Sequence, residues 1–145
     1  MSMKKVYVSL IADLLHAGHI NILAEAAKHG EVTVGLLTST AINELNDTVY
    51  LKYQQRADVV KNLTMVSDVI PQASASYKKN LTTIKPDYVV HGDDWLDSKQ
   101  SKYRQEVIDL LSEWGGELIE IEYSSDISDK NLKNQLMKLG VITVH

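Results

Sequence analysis

Between Lys5 and Leu37 a strand, a turn, a helix and a second strand follow one another with almost nothing between them, and this order constrains the fold more than any other feature of the chain. The segment from Lys5 to Ile11 (KVYVSLI) is rich in β-branched residues, and Asp13 behind it marks a turn. In HAGHINILAEAAKHG, Ile20, Leu23, Ala24 and Ala27 recur at helical spacing, and Gly30 stands where a helix C-cap is expected. The next strand, Glu31 to Leu37 (EVTVGLL), arrives so soon that the economical solution is a right-handed βαβ unit with parallel strands.

The alternation continues to the end of the chain. Thr38 to Tyr50 is polar and without period, a loop with room for a short helix. Ala57, Val60 and Leu63 share one face of a helix over Tyr53 to Met65, and Val66 to Pro71 reads as a short strand that ends at proline. A helix over Tyr77 to Ile84 precedes a strand from Tyr88 to His91, which breaks at Gly92. Val107, Leu110, Leu111 and Trp114 define a helix over Gln100 to Trp114, stopped by Gly115 and Gly116. Leu118 to Ile121 is the last strand, and Ser128 is placed to cap a final helix running to Leu139. About five strands alternating with helices predict the α/β class, with a doubly wound parallel sheet in a single domain over residues 1–145.

The composition of the 145 residues, 44% hydrophobic and 23% charged, is that of an ordinary globular domain. A formal net charge of −4 leaves no broad basic surface, which argues against nucleic acid or an anionic membrane as the main partner. Any bound anion must therefore meet a local site. With no cysteine there is neither a disulfide framework nor a thiolate metal site, in keeping with a reducing, cytoplasmic setting. No apolar run approaches a membrane span, and the stretch Val6 to Leu15 contains Asp13 and lacks a small-residue cleavage pattern, so it reads as a buried strand and not a signal peptide. The apolar ending from Leu139 to His145 suits a domain excised from a longer polypeptide.

In a sheet of this kind ligands bind beyond the carboxyl ends of the strands. The first strand exit carries His16-Ala17-Gly18-His19 at a helix start. Histidines three apart share a face, the glycine lets an anion approach the backbone, and free amides with the positive dipole end converge there. That is a site for phosphate charge, where two imidazoles can donate hydrogen bonds to an in-line transition state. A structural histidine pair remains an alternative, as does a metal site with Asp13 as third ligand. At another exit Gly92-Asp93-Asp94-Trp95 presents two carboxylates and an indole, fit to hold a nucleoside or help hold Mg²⁺. The competing reading makes Asp93 a turn cap and Trp95 part of the core.

These residues in this order resemble a known family. Ala12-Asp13-Leu14-Leu15-His16-Ala17-Gly18-His19, then Arg56, Val69-Ile70-Pro71 and Pro86-Asp87-Tyr88-Val89-Val90-His91-Gly92-Asp93-Asp94-Trp95 are similar to the cytidylyltransferases acting on glycerol 3-phosphate and on choline or ethanolamine phosphate. VYVSLIADLLHAGHINIL, HGDDW and Glu106 to Tyr123 most resemble the nucleotidyltransferase domain joined to phosphoenolpyruvate mutase in phosphonate biosynthesis. The resemblance implies a Rossmann-like fold, commonly a homodimer, that binds CTP with Mg²⁺ and releases pyrophosphate as CMP passes to a phosphonate such as 2-hydroxyethylphosphonate or 2-aminoethylphosphonate. A phosphate monoester is the alternative acceptor, and a non-catalytic nucleotide-binding module of the same fold is the alternative to turnover. By the same resemblance His16 and His19 contact the triphosphate, Ser9, Leu10, Ile11, Asp13 and Gly18 line the nucleotide site, and Arg56 supports it. Asp93, Asp94 and Trp95 belong to the nucleoside pocket, and Tyr77 and Lys78 meet the acceptor's phosphoryl group. The chain departs from the family at Leu10-Ile11-Ala12-Asp13, where many members have Gly-Thr-Phe-Asp, and at Asn46-Asp47, where basic residues are usual. It departs again at Tyr123 to Lys130, where Ser128 keeps one hydroxyl, Asp129 puts a carboxylate near the expected triphosphate and Lys130 offsets part of that charge.

Overall fold

The computed structural model describes residues 3–95 and 100–122. Five parallel strands form one sheet in the order β3-β2-β1-β4-β5, with β1 Lys5–Leu10, β2 Glu31–Leu37, β3 Asp68–Gln72, β4 Tyr88–Gly92 and β5 Glu117–Ile121. The connecting helices are α1 Ala17–Ala27, α2 Ser39–Glu44, α3 Tyr53–Val60, α4 Lys78–Ile84 and α5 Ser101–Ser112, and a 3-10 turn covers Asp93–Trp95. From β1 the chain winds outward through β2 and β3, then returns to the other side of β1 as β4. This is the expected α/β, doubly wound parallel sheet, and its winding reverses between β1 and β4. Among the described residues no helix is long and apolar enough to cross a membrane.

Alternating strand residues serve opposite faces. Val6, Val8 and Leu10 pack with Ile22, Leu23 and Ala26 of α1 and with Ala57 and Val60 of α3. Tyr7 and Val89 pack on the other face with Leu81 of α4, with Val107, Leu110 and Leu111 of α5, and with Trp95. Burial on both faces is why the central strands read as nearly continuous apolar runs.

Several boundaries differ from the sequence expectation, each for a local reason. Pro71 does not end its strand; it pairs with Leu36 inside β3, which tolerates proline because β3 is an edge strand. The helix expected to reach Met65 stops at Val60. There the Asn62 side chain donates to the Asp58 carbonyl at 2.6 Å, taking the acceptor that the next helical turn needs. The polar loop after β2 does hold a short helix, α2, capped by Thr38 Oγ1 accepting from the Ala41 amide. Gly30 is not the cap of α1, a place taken by Lys28. A Cβ at Gly30 would run into the Lys4 carbonyl, to which the Glu31 amide donates at 2.9 Å as β2 begins.

Gly35 has a sharper role. A Cβ there would overlap the hydroxyl end of the Tyr7 ring, which lies across β2. The Tyr7 hydroxyl donates to Gln72 Oε1 at 2.6 Å and accepts from Asn80 Nδ2 at 3.0 Å. Burial raises its pKa well above the ordinary phenol value, so it stays a donor. Gly35→Ala should therefore lower unfolding stability by about 3 kcal/mol through overpacking. Urea denaturation checks this, and a loss no larger than an ordinary strand Gly→Ala exchange would mean that the ring moves aside freely.

Candidate active site

β1 pairs with β4 at Val6–Tyr88 and Tyr7–Val89 and no further. Yet β1 stays paired with β2 through Leu10–Leu36, and β4 with β5 through Gly92–Ile121. The two central strands therefore part toward their carboxyl ends. The opening is a cleft of about 270 Å³, bounded by Val8 to Ile11 on one side and Val90 to Gly92 on the other. His19 and Ile22 of α1 close one end; Gln72, Ala75, Tyr77, Gln100 and Tyr103 line the face toward α4 and α5; Leu45 and Asp47 reach in from beyond α2. The expected nucleotide-site residues Ser9, Leu10 and Ile11 thus lie in the cleft with His19 and Tyr77.

The start of α1 is built around two imidazoles. His16 is the N-cap, and its Nδ1 accepts from the Gly18 amide at 3.1 Å. His19 Nδ1 accepts in turn from the His16 amide at 3.3 Å. This is a capping box made of histidines instead of the usual hydroxyl and carboxylate. It fixes the tautomer: with Nδ1 accepting in both rings, a neutral imidazole carries its proton on Nε2 and donates from there. The ring centroids are 4.2 Å apart. The amide of Gly18, expected to be open to an anion, is instead taken by His16, so donation passes from the backbone to the two Nε2–H groups.

Desolvation disfavours the charged form of both rings. His19 is buried, and desolvation, reinforced by the nearby His16, pushes it down to about 4; desolvation also lowers His16. The unfolded chain protonates His19 near its ordinary value of about 6.5. Stability from the neutral ring is therefore complete above that pH and is lost as the pH falls toward 4. Between pH 7 and pH 4.5 wild type should lose roughly 2 kcal/mol more than His19→Gln. Urea titrations of both proteins at the two pH values measure this, and equal losses would show that the ring titrates normally.

Other candidates frame the cleft without entering it. Asp13, 2% exposed, accepts from the amides of Tyr50 and Leu51 at 2.8 Å each, so it pins the loop ahead of α3. Arg56 is fully buried and donates to the carbonyls of Ile11 at 2.9 Å, Leu37 at 2.7 Å and Leu51 at 3.0 Å. Its remaining terminal nitrogen, NH2, has no hydrogen-bond partner among the described residues. Both residues hold the rim together. Ala12, just before Asp13, has a left-handed φ of 55°, a conformation unusual outside glycine.

Trp95 is 1% exposed, and neither it nor Asp93 is in the cleft lining; the backbone of Asp94 belongs to the same 3-10 turn. Lys78 is exposed and also stands outside the lining. Tyr77 is held by its amide, which donates to Glu106 Oε1 at 2.7 Å, while Glu44 accepts from the Ala75 amide at 3.1 Å. Ser128 and Lys130, with Asp129, lie outside the described residues. No group of three or more histidine and carboxylate side chains among the described residues is arranged to hold a metal, which counts against the His16, His19 and Asp13 metal reading. Sequence reasoning overlooked His91, Gln72, Gln100 and Tyr103 as lining residues. The signal for His91 was its place as the penultimate residue of a strand that ends at the cleft.

Residues 11–134 match the family described as cytidylyltransferase-like. The chain is 33% identical to glycerol-3-phosphate cytidylyltransferase of Bacillus subtilis (strain 168) over 95 residues, 64% of this chain and 74% of that protein. It is 32% identical to FAD synthase of Methanopyrus kandleri over 102 residues, 67% of this chain and 68% of that protein. The crystal structure of a lipopolysaccharide core biosynthesis protein from Thermoplasma volcanium matches with a TM-score of 0.72 at 22% identity, covering 86% of this chain and 100% of that one, a likeness of fold.

Proposed function

Because this chain belongs to the cytidylyltransferase-like family and is an enzyme of that kind, we propose that it moves CMP from CTP onto a small phosphate monoester or phosphonate and releases pyrophosphate. The observation that carries the reading is the neutral histidine pair at the start of α1, whose Nδ1 atoms are occupied by backbone amides so that Nε2–H becomes the donor of each ring. In the reaction an acceptor oxygen attacks the α-phosphorus, the bond to the bridging oxygen breaks, and pyrophosphate departs with the electron pair. The chain forms no covalent bond. His16 and His19 donate to the α-phosphate oxygens as charge spreads over them, and the edges of β1 and β4 flank the nucleotide. Mg²⁺ bound to the triphosphate would offset part of its negative charge as the donor binds.

For the acceptor, the name of the Bacillus subtilis relative supports glycerol 3-phosphate, while the segments around HGDDW keep 2-hydroxyethylphosphonate and 2-aminoethylphosphonate in contention. Adenylyl transfer is a second reading, supported by the similarity to a protein named FAD synthase, whose product contains adenine. Asp47 in the cleft supports a third, nucleotide binding without turnover.

Pyrophosphate release with CTP or ATP, across glycerol 3-phosphate, choline phosphate and the two phosphonates, separates these readings. We expect CTP with at least one of these acceptors to give product; CTP binding in calorimetry with no product from any acceptor would leave only the non-catalytic module. In the active pairing His16→Asn, which keeps a side chain suited to an N-cap, should lower kcat about a hundredfold, as loss of a transition-state donor does. A rate near wild type would remove His16 from the chemistry.

A further inference from the structure

Trp95, expected to wall the nucleoside pocket, is buried outside the cleft lining, and the ring that does line the cleft next to it is that of His91. His91 lines the cleft and lies flat against Trp95, with centroids 3.6 Å apart and planes within 3°. The stack is held at several points. His91 Nδ1 is 2.7 Å from the Gly92 carbonyl, which can only accept, so that nitrogen carries a proton and the ring is locked in orientation. Beneath it, Trp95 Nε1 donates to Glu120 Oε2 at 3.0 Å. Glu120 is gripped by Arg104, with Nη2 at 2.7 Å from Oε1 and Nε at 3.1 Å from Oε2. The grip holds the Glu120 carboxyl below its usual range, so the anchor stays ionised. His91 and Glu120 are also register partners across β4 and β5. A ring fixed in this way sacrifices little conformational freedom when a flat ligand settles on it.

We propose that His91 is the residue on which the base of the donor nucleotide stacks. The inference rests on the nucleotidyl-transfer reading above. His19, on the α1 side of the parted strands, marks the phosphate end of the cleft; His91, on the β4 side, marks the other. Stacking engages the π-face that every base has, so this contact supplies affinity without choosing cytosine over adenine.

Calorimetric binding of CTP and of ATP to wild type, His91→Phe and His91→Ala tests the proposal, with the acceptor KM measured for each variant. Base–aromatic stacking predicts that His91→Ala weakens both nucleotides roughly tenfold or more while His91→Phe stays within about threefold of wild type. The acceptor KM should not move. Far-ultraviolet circular dichroism verifies that both variants fold, and the phenylalanine variant reports on stacking even if the alanine one does not fold. Unchanged binding in His91→Ala, an effect on the acceptor KM alone, or a folded His91→Phe that binds much more weakly than wild type would each overturn the assignment. A wild-type protein that binds neither nucleotide would sink the functional reading first, and this one with it.

Discussion

The register joining β1 to β4 covers Val6–Tyr88 and Tyr7–Val89 and then ceases, although both strands run on to Leu10 and Gly92. A parallel sheet parts in this way where its winding reverses, because the connections leaving the two strands head to opposite sides and nothing fills the gap between them. What the parting creates is a space flanked by backbone on both walls and reached by the start of α1. The outer strands have no such opening, since β2 and β3 remain paired through Leu37–Gln72 and β4 and β5 through Gly92–Ile121. The site is thus a property of strand order before it is a property of any side chain.

The side chains then decide what the space can accept. A helix start carries positive potential, which alone would draw an anion and also lower the proton affinity of an imidazole. Here the amides of Gly18 and His16 donate to the two Nδ1 atoms, which leaves the proton of each neutral ring on Nε2. Neutral donors suit a reaction in which phosphate charge is redistributed, because they stabilise the transition state without trapping the triphosphate ground state as tightly as fixed cations would.

Much of this was legible in the chain. The βαβ order and the apolar strands predicted a doubly wound parallel sheet, and the sheet is there. The placing of His16 and His19 at the start of α1 was legible because spacing and order point the same way: three residues apart, after a strand and before a helix. The stacking of Trp95 beneath His91 was not, because strand alternation does not say how a ring beyond the strand end folds back on a residue within it. Gly18 misled for a related reason. A glycine at a helix start looks like open backbone, and only the rotamer of the preceding histidine reveals that its amide is taken. The burial of Arg56 was not legible either, because it depends on carbonyls from other segments of the chain, which no local pattern records.

The Arg56 guanidinium has a wider consequence for how the mouth of the site behaves. One planar group meets carbonyls from the end of β2, from the turn after β1 and from the loop before α3. It works like the keystone of an arch whose stones come from distant parts of the chain. None of the three can shift alone without breaking a bond to the same rigid fork. The rim therefore responds to strain as one body, and a disturbance at any of its loops is felt at the β1 exit, where the reacting phosphate would lie.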